Sequence, residues 1–296
     1  AGSMSTVRFE RKGDMVGYVY IAPTKAGIAH KLLPADWVKA ISKVELLIGG
    51  QVIDEQTSTF SQYMAPTVLA QNLTKSTSGF AVATESKFYP LRFSFCENAQ
   101  TAIPLIALQY HDVELRITWG TDLDGATYEV YSQFIHLDTD ERTALSSTPQ
   151  NMLITQTQQA IASASKIQEL NFNHPIKCLV AADGSTLSIA ADANKMKLQI
   201  NGTDVADFKY VDPNYTAVTS YYHTASSKDA GASGENDKFF LYPFCLDTSK
   251  VQPTGSLNFS RLDSARLVND TANSSDDIYA VNYNILRIEN GMGGLM

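Results

Sequence analysis

Between Lys87 and Trp119 the chain alternates apolar and polar residues twice. Leu91, Phe93 and Phe95 alternate with Arg92, Ser94 and Cys96; Val113, Leu115, Ile117 and Trp119 alternate with Asp112, Glu114, Arg116 and Thr118. A period of two puts one face on a core and the other in water or on another sheet, so both runs are expected to be strands. The apolar run between them, Ile103–Leu108, contains Pro104, which breaks a helix and is tolerated only at the start or edge of a strand. Nearer the N-terminus, VRFE and MVGYVYIA within Ser5–Ile21 read as two strands around the turn Lys12-Gly13-Asp14. Pro34–Ile41 suits one short helix, with Trp37 and Ile41 on the same side.

The pattern returns about 151 residues later. Lys87-Phe88 is answered by Lys238-Phe239, Asp112 by Asp263, and YEVYSQFIHLD from Tyr128 by YAVNYNILRIE from Tyr279. KVELLIGGQVID at Lys43–Asp54 is answered by KMKLQINGTDVAD at Lys195–Asp207. Val44, Leu46 and Ile48 lead into Gly49-Gly50, and Met196, Leu198 and Ile200 lead into Asn201-Gly202. Both dipeptides permit positive φ, so both repeats are expected to turn sharply there. Four anchors in one order indicate duplication of a domain of roughly 140 residues, a usual domain size. The boundaries read from sequence are 5–145 and 146–296, with Ala1-Gly2-Ser3 set aside as an expression scar.

Each repeat carries a long polar insertion before its aromatic strand. The first, Gln56 to Ser86, is expected to hold a helix around Tyr63–Asn72; the second, Lys209 to Asp237, includes the flexible-looking HTASSKDAGASGEND. Insertions this long usually serve a function, against the plainer reading of tolerated surface decoration. Asp138 to about Gln159 lacks alternation and reads as the linker. The second domain then opens with strands around Leu170–Phe172 and NHPIKCLVAA, and closes with NYNILRIENGMGGLM. Short strands punctuated by Gly, Pro and Asn turns make the chain all-β. About eight per repeat with long crossovers favour two tandem eight-stranded jelly-roll β-sandwiches, a double jelly roll.

Composition narrows the function. A net charge of −8 argues against a surface that coats nucleic acid. No window approaches the run of about 18 apolar residues that a membrane helix needs, and no signal peptide is visible. The scattered Cys96, Cys178 and Cys245 read as buried structural thiols of a reducing compartment, in preference to catalytic or metal-bound ones.

The sequence contains no GxSxG elbow, HExxH, Walker A or GxGxxG. His30, His111, His136, His174 and His223 are scattered, and on a strand His111 faces away from Asp112 and Glu114. No catalytic, cofactor-binding or metal-binding residue and no cofactor is therefore assigned. Asp54, Glu55, Glu97 and Asp138 are the carboxylates that a glycan-acting double-sandwich hydrolase or lectin, the alternative function, would draw on. Asn-x-Ser/Thr triplets at Asn72, Asn201, Asn214, Asn258, Asn269 and Asn273 would accept glycans only on a secretory route.

KVELLIGGQVID, FYPLRFSFCENAQTAIPLIALQYHDVELRI, LITQTQ with NFNHPIK, GSLNFSRLDSARL and IYAVNYNILRIENGMGGLM resemble, in that order, the major capsid protein of large eukaryotic DNA viruses such as iridoviruses and phycodnaviruses. The resemblance implies a non-enzymatic virion protein built of two jelly rolls. Three copies would form a pseudo-hexagonal homotrimeric capsomer, and capsomers would tile an icosahedral shell. The implied partners are the protein itself, in its trimer and in neighbouring capsomers, then minor capsid and penton proteins and, indirectly, an internal membrane, with no direct nucleic acid. Assembly is expected in the host cytoplasm. The long loops would crown the outer face. The family's N-terminal arm and first strand, and a few residues past Met296, have no match here, and this leaves contacts toward the shell interior in doubt.

Overall fold

The run Val113–Trp119 forms a strand, with Val113, Leu115 and Ile117 buried and the residues between them facing outward. The computed structural model describes residues 2–76, 85–191, 193–225 and 238–296. HTASSKDAGASGEND lies mostly outside the described residues.

In chain order, β1 (Met4–Arg8), β2 (Met15–Lys25) and β3 (Ile28–Ala29) come first. α1 (Pro34–Ala40) begins on a proline, which has no N–H to leave unpaired in a first turn, and buries Trp37. β4 (Ile41–Ile48) and β5 (Gln51–Thr57) form a hairpin whose turn residues Gly49 and Gly50 have φ of 58° and 81°. That is the turn whose twist matches the strands, as expected. α2 (Ala65–Val68) and α3 (Leu73–Ser76) occupy the first insertion. Then follow β6 (Tyr89–Pro90), α4 (Ser94–Glu97), β7 (Ile103–Pro104), β8 (Val113–Trp119) and β9 (Thr127–Ile135). Next come α5 (Thr139–Ser147), β10 (Gln150–Ala160), β11 (Ile167–Glu169) and β12 (Pro175–Ala181). β13 (Lys195–Ile200) and β14 (Thr203–Asp204) turn at Asn201 and Gly202, whose φ are 48° and 79°. The remainder is β15 (Lys209–Tyr210), α6 (Val211–Asn214), α7 (Ala217–His223) and β16 (Phe240–Pro243). The chain ends with β17 (Leu257–Asn258), β18 (Ala265–Asn269), β19 (Ile278–Glu289) and β20 (Met292–Leu295).

Two compact units result. The first comprises Ala1–Ser61, Val82–Gln156 and Asn284–Met296; the second comprises Gln62–Ala81 and Thr157–Tyr283. In the first unit one sheet has the order β1-β8-β4-β5. In the other, β2 pairs with β9 along one edge and with β3, β6 and β7 along the opposite edge; Tyr20, for example, pairs with both Tyr131 and Pro90. Val16, Val19, Ile21, Trp37, Val44, Leu115 and Ile117 meet in the core between these sheets. Gly2 and Ser3, set aside in the sequence reading, hydrogen-bond to Trp119.

In the second unit the order β11-β18-β13-β14 repeats that of the first sheet strand for strand, and β12 pairs with β16, β17 and β19 as β2 does with β6, β7 and β9. Its core includes Leu179, Met196, Leu198, Phe240, Leu267 and Ala280. The same sandwich therefore occurs twice, the double jelly roll expected from the sequence. One position differs: β10 lies along the outer edge of β19, whereas β9 has no strand on its outer edge among the described residues. Tyr128, Val130 and Phe134 of β9 are only half-buried against the core, while the core-facing Ile278 and Ala280 of β19 are fully buried.

Several expectations are corrected. Leu91, Phe93 and Phe95 are buried but do not form a strand; β6 ends at Pro90, and Ser94–Glu97 is a helical turn that takes the buried Arg92 to Glu97. Asp138–Gln159, which lacks alternation, nevertheless holds α5 and most of the eleven-residue β10. Leu170 and Phe172 are core residues that follow strand β11 instead of forming one. The helix expected around Tyr63–Asn72 is present in part as α2, preceded by a helical turn at Phe60–Met64, and Phe60 to Ala70 is buried throughout.

Candidate assembly surface

The residues that could have carried catalysis are held by structural partners. Asp54 Oδ1 accepts from the Glu55 amide at 2.9 Å and Oδ2 from Gln56 Nε2 at 3.0 Å. Glu55 pairs with Lys43 at 2.9 Å, and this hydrogen bond raises the Lys43 pKa above its ordinary value. Glu97 pairs with Arg92, and Asp138 begins α5, its amide donating to Glu141 at 3.4 Å. The His111 ring packs over the Gly49 turn, with Nδ1 3.0 Å from the Gly293 carbonyl, and Asp112 turns away to Arg8 at 2.8 Å. Among the described residues no group of three His, Cys, Asp or Glu side chains could hold a metal ion. Of the Asn-x-Ser/Thr sites, Asn269 is 2% exposed, and the Asn201 side chain accepts from the amides of Asp263 and Ser264.

Cys178 and Cys245 are buried, and burial pushes both thiols up in pKa; Cys96 is half-buried. Beside them in the second unit lies Lys177, a residue that sequence reasoning missed. It is buried, donates to the Lys250 carbonyl at 3.3 Å and lies 5.6 Å from the centre of the Tyr283 ring. Burial lowers its proton affinity. In the sequence it is one cation in the apolar run PIKCLVA, and nothing there marks it as inward-facing.

What the surface does offer is aromatic. On the outer face of the β9-β2-β6 sheet, Tyr20 stacks on Tyr131 with ring centres 5.3 Å apart, and Phe88 meets it edge-on at 5.8 Å. Tyr18 lies alongside at 6.5 Å. Tyr18, Phe88 and Tyr131 remain 52%, 49% and 45% exposed. Tyr131 Oη donates to Glu129 at 2.5 Å, which raises its pKa. In the second unit, α7 turns Thr219 inward and leaves Val218, Tyr221 and Tyr222 exposed, and the two tyrosine rings meet edge to face at 4.9 Å. Clustered exposed rings of this kind are candidate contact surfaces.

A family profile described as large eukaryotic DNA virus major capsid protein matches residues 141–294, and one described as major capsid protein N-terminus matches residues 1–201. The major capsid protein of Pyramimonas orientalis virus is 32% identical over 99% of this chain and 86% of its own length. That of Paramecium bursaria Chlorella virus 1 is 28% identical over 99% of this chain and 87% of its length. Among solved structures, PBCV-1 VP54, fitted into a cryo-EM reconstruction of the virophage Sputnik, superimposes with a TM-score of 0.74 at 26% identity, covering 99% of this chain and 92% of that one.

Proposed function

Because the chain belongs to the major capsid protein family of large eukaryotic DNA viruses, we propose that three copies gather into a pseudo-hexagonal capsomer and that such capsomers tile an icosahedral shell. The role is structural, that of a virion capsid component and not an enzyme. The observation that carries the trimer is the duplication itself. Two sandwiches with one strand order in each chain become six similar bodies when three chains meet, and six similar bodies suit a hexagonal lattice site. The net charge of −8 keeps free subunits apart before assembly and does not suit direct genome binding. Minor capsid and penton proteins are the further partners, an internal membrane is reached only indirectly, and assembly takes place in the host cytoplasm.

Size-exclusion chromatography with light scattering tests the reading. The expected product has three times the chain mass of 32.4 kDa. A strictly monomeric product at high concentration would overturn it.

A further inference from the structure

We propose that α7 of one copy docks on the Tyr18–Tyr20–Tyr131–Phe88 face of the next, and that this contact closes the trimer. The proposal rests on the trimeric reading above and names the surface that builds it.

The argument starts inside the second unit. Where β12 pairs with β19 and β16, the sheet is buried on both faces. Leu179 and Ala280 point into the sandwich core, whereas Cys178, Val180, Tyr279 and Val281, all 3% exposed or less, belong to the opposite face. Such a face needs an apolar cover. The same unit contains Gln62–Ala81, the insertion that follows β5, and Tyr63, Met64, Ala65, Val68 and Leu69 of that segment are buried. The Tyr63 ring sits 2.7 Å from where a Cβ at Gly184, just past β12, would lie. The first repeat's insertion is thus buried in the second unit and packs against the chain just past β12.

The duplication sets up the same relation a second time, and this time both halves are exposed among the described residues. The sheet equivalent to β19-β12-β16 is β9-β2-β6, and its outer face is the exposed aromatic cluster. The insertion equivalent to the one after β5 lies between β15 and β16 and contains α7. Val218, Tyr221 and Tyr222 stand at i, i+3 and i+4, one helical face, at 42%, 71% and 72% exposure. Tyr215 and Thr219 are buried and anchor the segment to its own unit. Charge does not oppose the pairing: the exposed charged side chains of β2 and β9 are Glu129 and, at the strand end, Lys25, which Asp124 pairs at 3.0 Å, while α7 has no carboxylate and ends on His223. Three half-exposed aromatic side chains present roughly 300 Å2 of apolar surface, enough for the centre of a specific interface. Because the two halves are different surfaces, the contact runs head to tail from copy to copy, and in a trimer three such contacts make a ring.

The test uses two variants of the full chain, Tyr18→Glu/Tyr131→Glu and Tyr221→Glu/Tyr222→Glu. Both alter exposed positions, so thermal melting of the monomeric fraction should match the parent. Light scattering should show loss of the trimer in each variant at concentrations where the parent is fully trimeric. Mixing them should yield a one-to-one dimer, since one intact helix face and one intact sheet face remain across the pair. Variants that stay trimeric would overturn the docking surface and leave the trimer standing; a monomeric parent would overturn both. If either variant precipitates, hydrogen exchange on the unmodified protein decides. Tyr18–Tyr20 and Tyr221–His223 should gain protection together as concentration rises, and no gain in the trimer refutes the contact.

Discussion

Arg92 and Glu97 form an ion pair at 3.2 Å with side chains only 4% and 9% exposed. A buried pair adds little compared with an apolar replacement, but removing one member takes an ionic partner from a charge that stays buried, which costs up to about 3–5 kcal/mol. Glu97→Ala is therefore expected to lower stability by up to that amount in a denaturant titration. Arg92→Met/Glu97→Leu should recover most of the loss. A double variant as unstable as the single would refute this account.

That pair also explains why one stretch misleads when read as sequence. Leu91, Phe93 and Phe95 have the period of a strand, yet Arg92 between them is as buried as they are, so the alternation reports no solvent face. Val113–Trp119 is legible because its polar partners do face outward. The Gly49-Gly50 and Asn201-Gly202 turns are legible because positive φ is a demand of the local backbone. β10 is not: its Thr and Gln residues give no contrast between faces, and its strand form comes from pairing with the distant β19. The docking face is hidden for the opposite reason. In MVGYVYIA both faces are apolar, and only the fold turns Val19 and Ile21 inward and Tyr18 outward.

The two glycines of the first turn should differ in their tolerance of alanine. Both have positive φ, which costs an alanine about 1–2 kcal/mol. A Cβ at Gly50 meets open space, but one at Gly49 would lie 2.4 Å from the His111 ring. Gly49→Ala should thus be the more destabilising change by melting temperature. Equal losses would show that the His111 ring moves aside freely.

Lys177 predicts a pH dependence of known sign. Burial lowers its pKa in the folded chain below the ordinary 10.5, so the unfolded chain binds more protons. Stability from this residue rises as pH climbs from the lowered value toward 10.5, and it is lost as pH falls through the lowered value. Lys177→Met should stabilise the protein, most at the acid end of that window, with the advantage narrowing as pH approaches 10.5. Melting curves of both proteins between about pH 7 and 10 measure it. An advantage independent of pH would refute a shifted lysine.

Thiol labelling should separate the cysteines. Burial keeps Cys178 and Cys245 protonated and shielded, while Cys96 is half-buried. Mass spectrometry after maleimide treatment of the native protein should find the label on Cys96, with Cys178 and Cys245 reacting only after unfolding. Prompt native labelling of Cys178 would contradict its burial.

The edge of β9 that carries no strand among the described residues makes quality control part of this protein's physics. Nine residues offer a row of amide and carbonyl groups to any extended chain, with Val130 and Phe134 only half sheltered behind them. Crowded, newly made chains will compete for that seam, and a wrong occupant would lock in a misregistered polymer. An edge of this kind is a general hazard for misassembly until a fitting strand fills it.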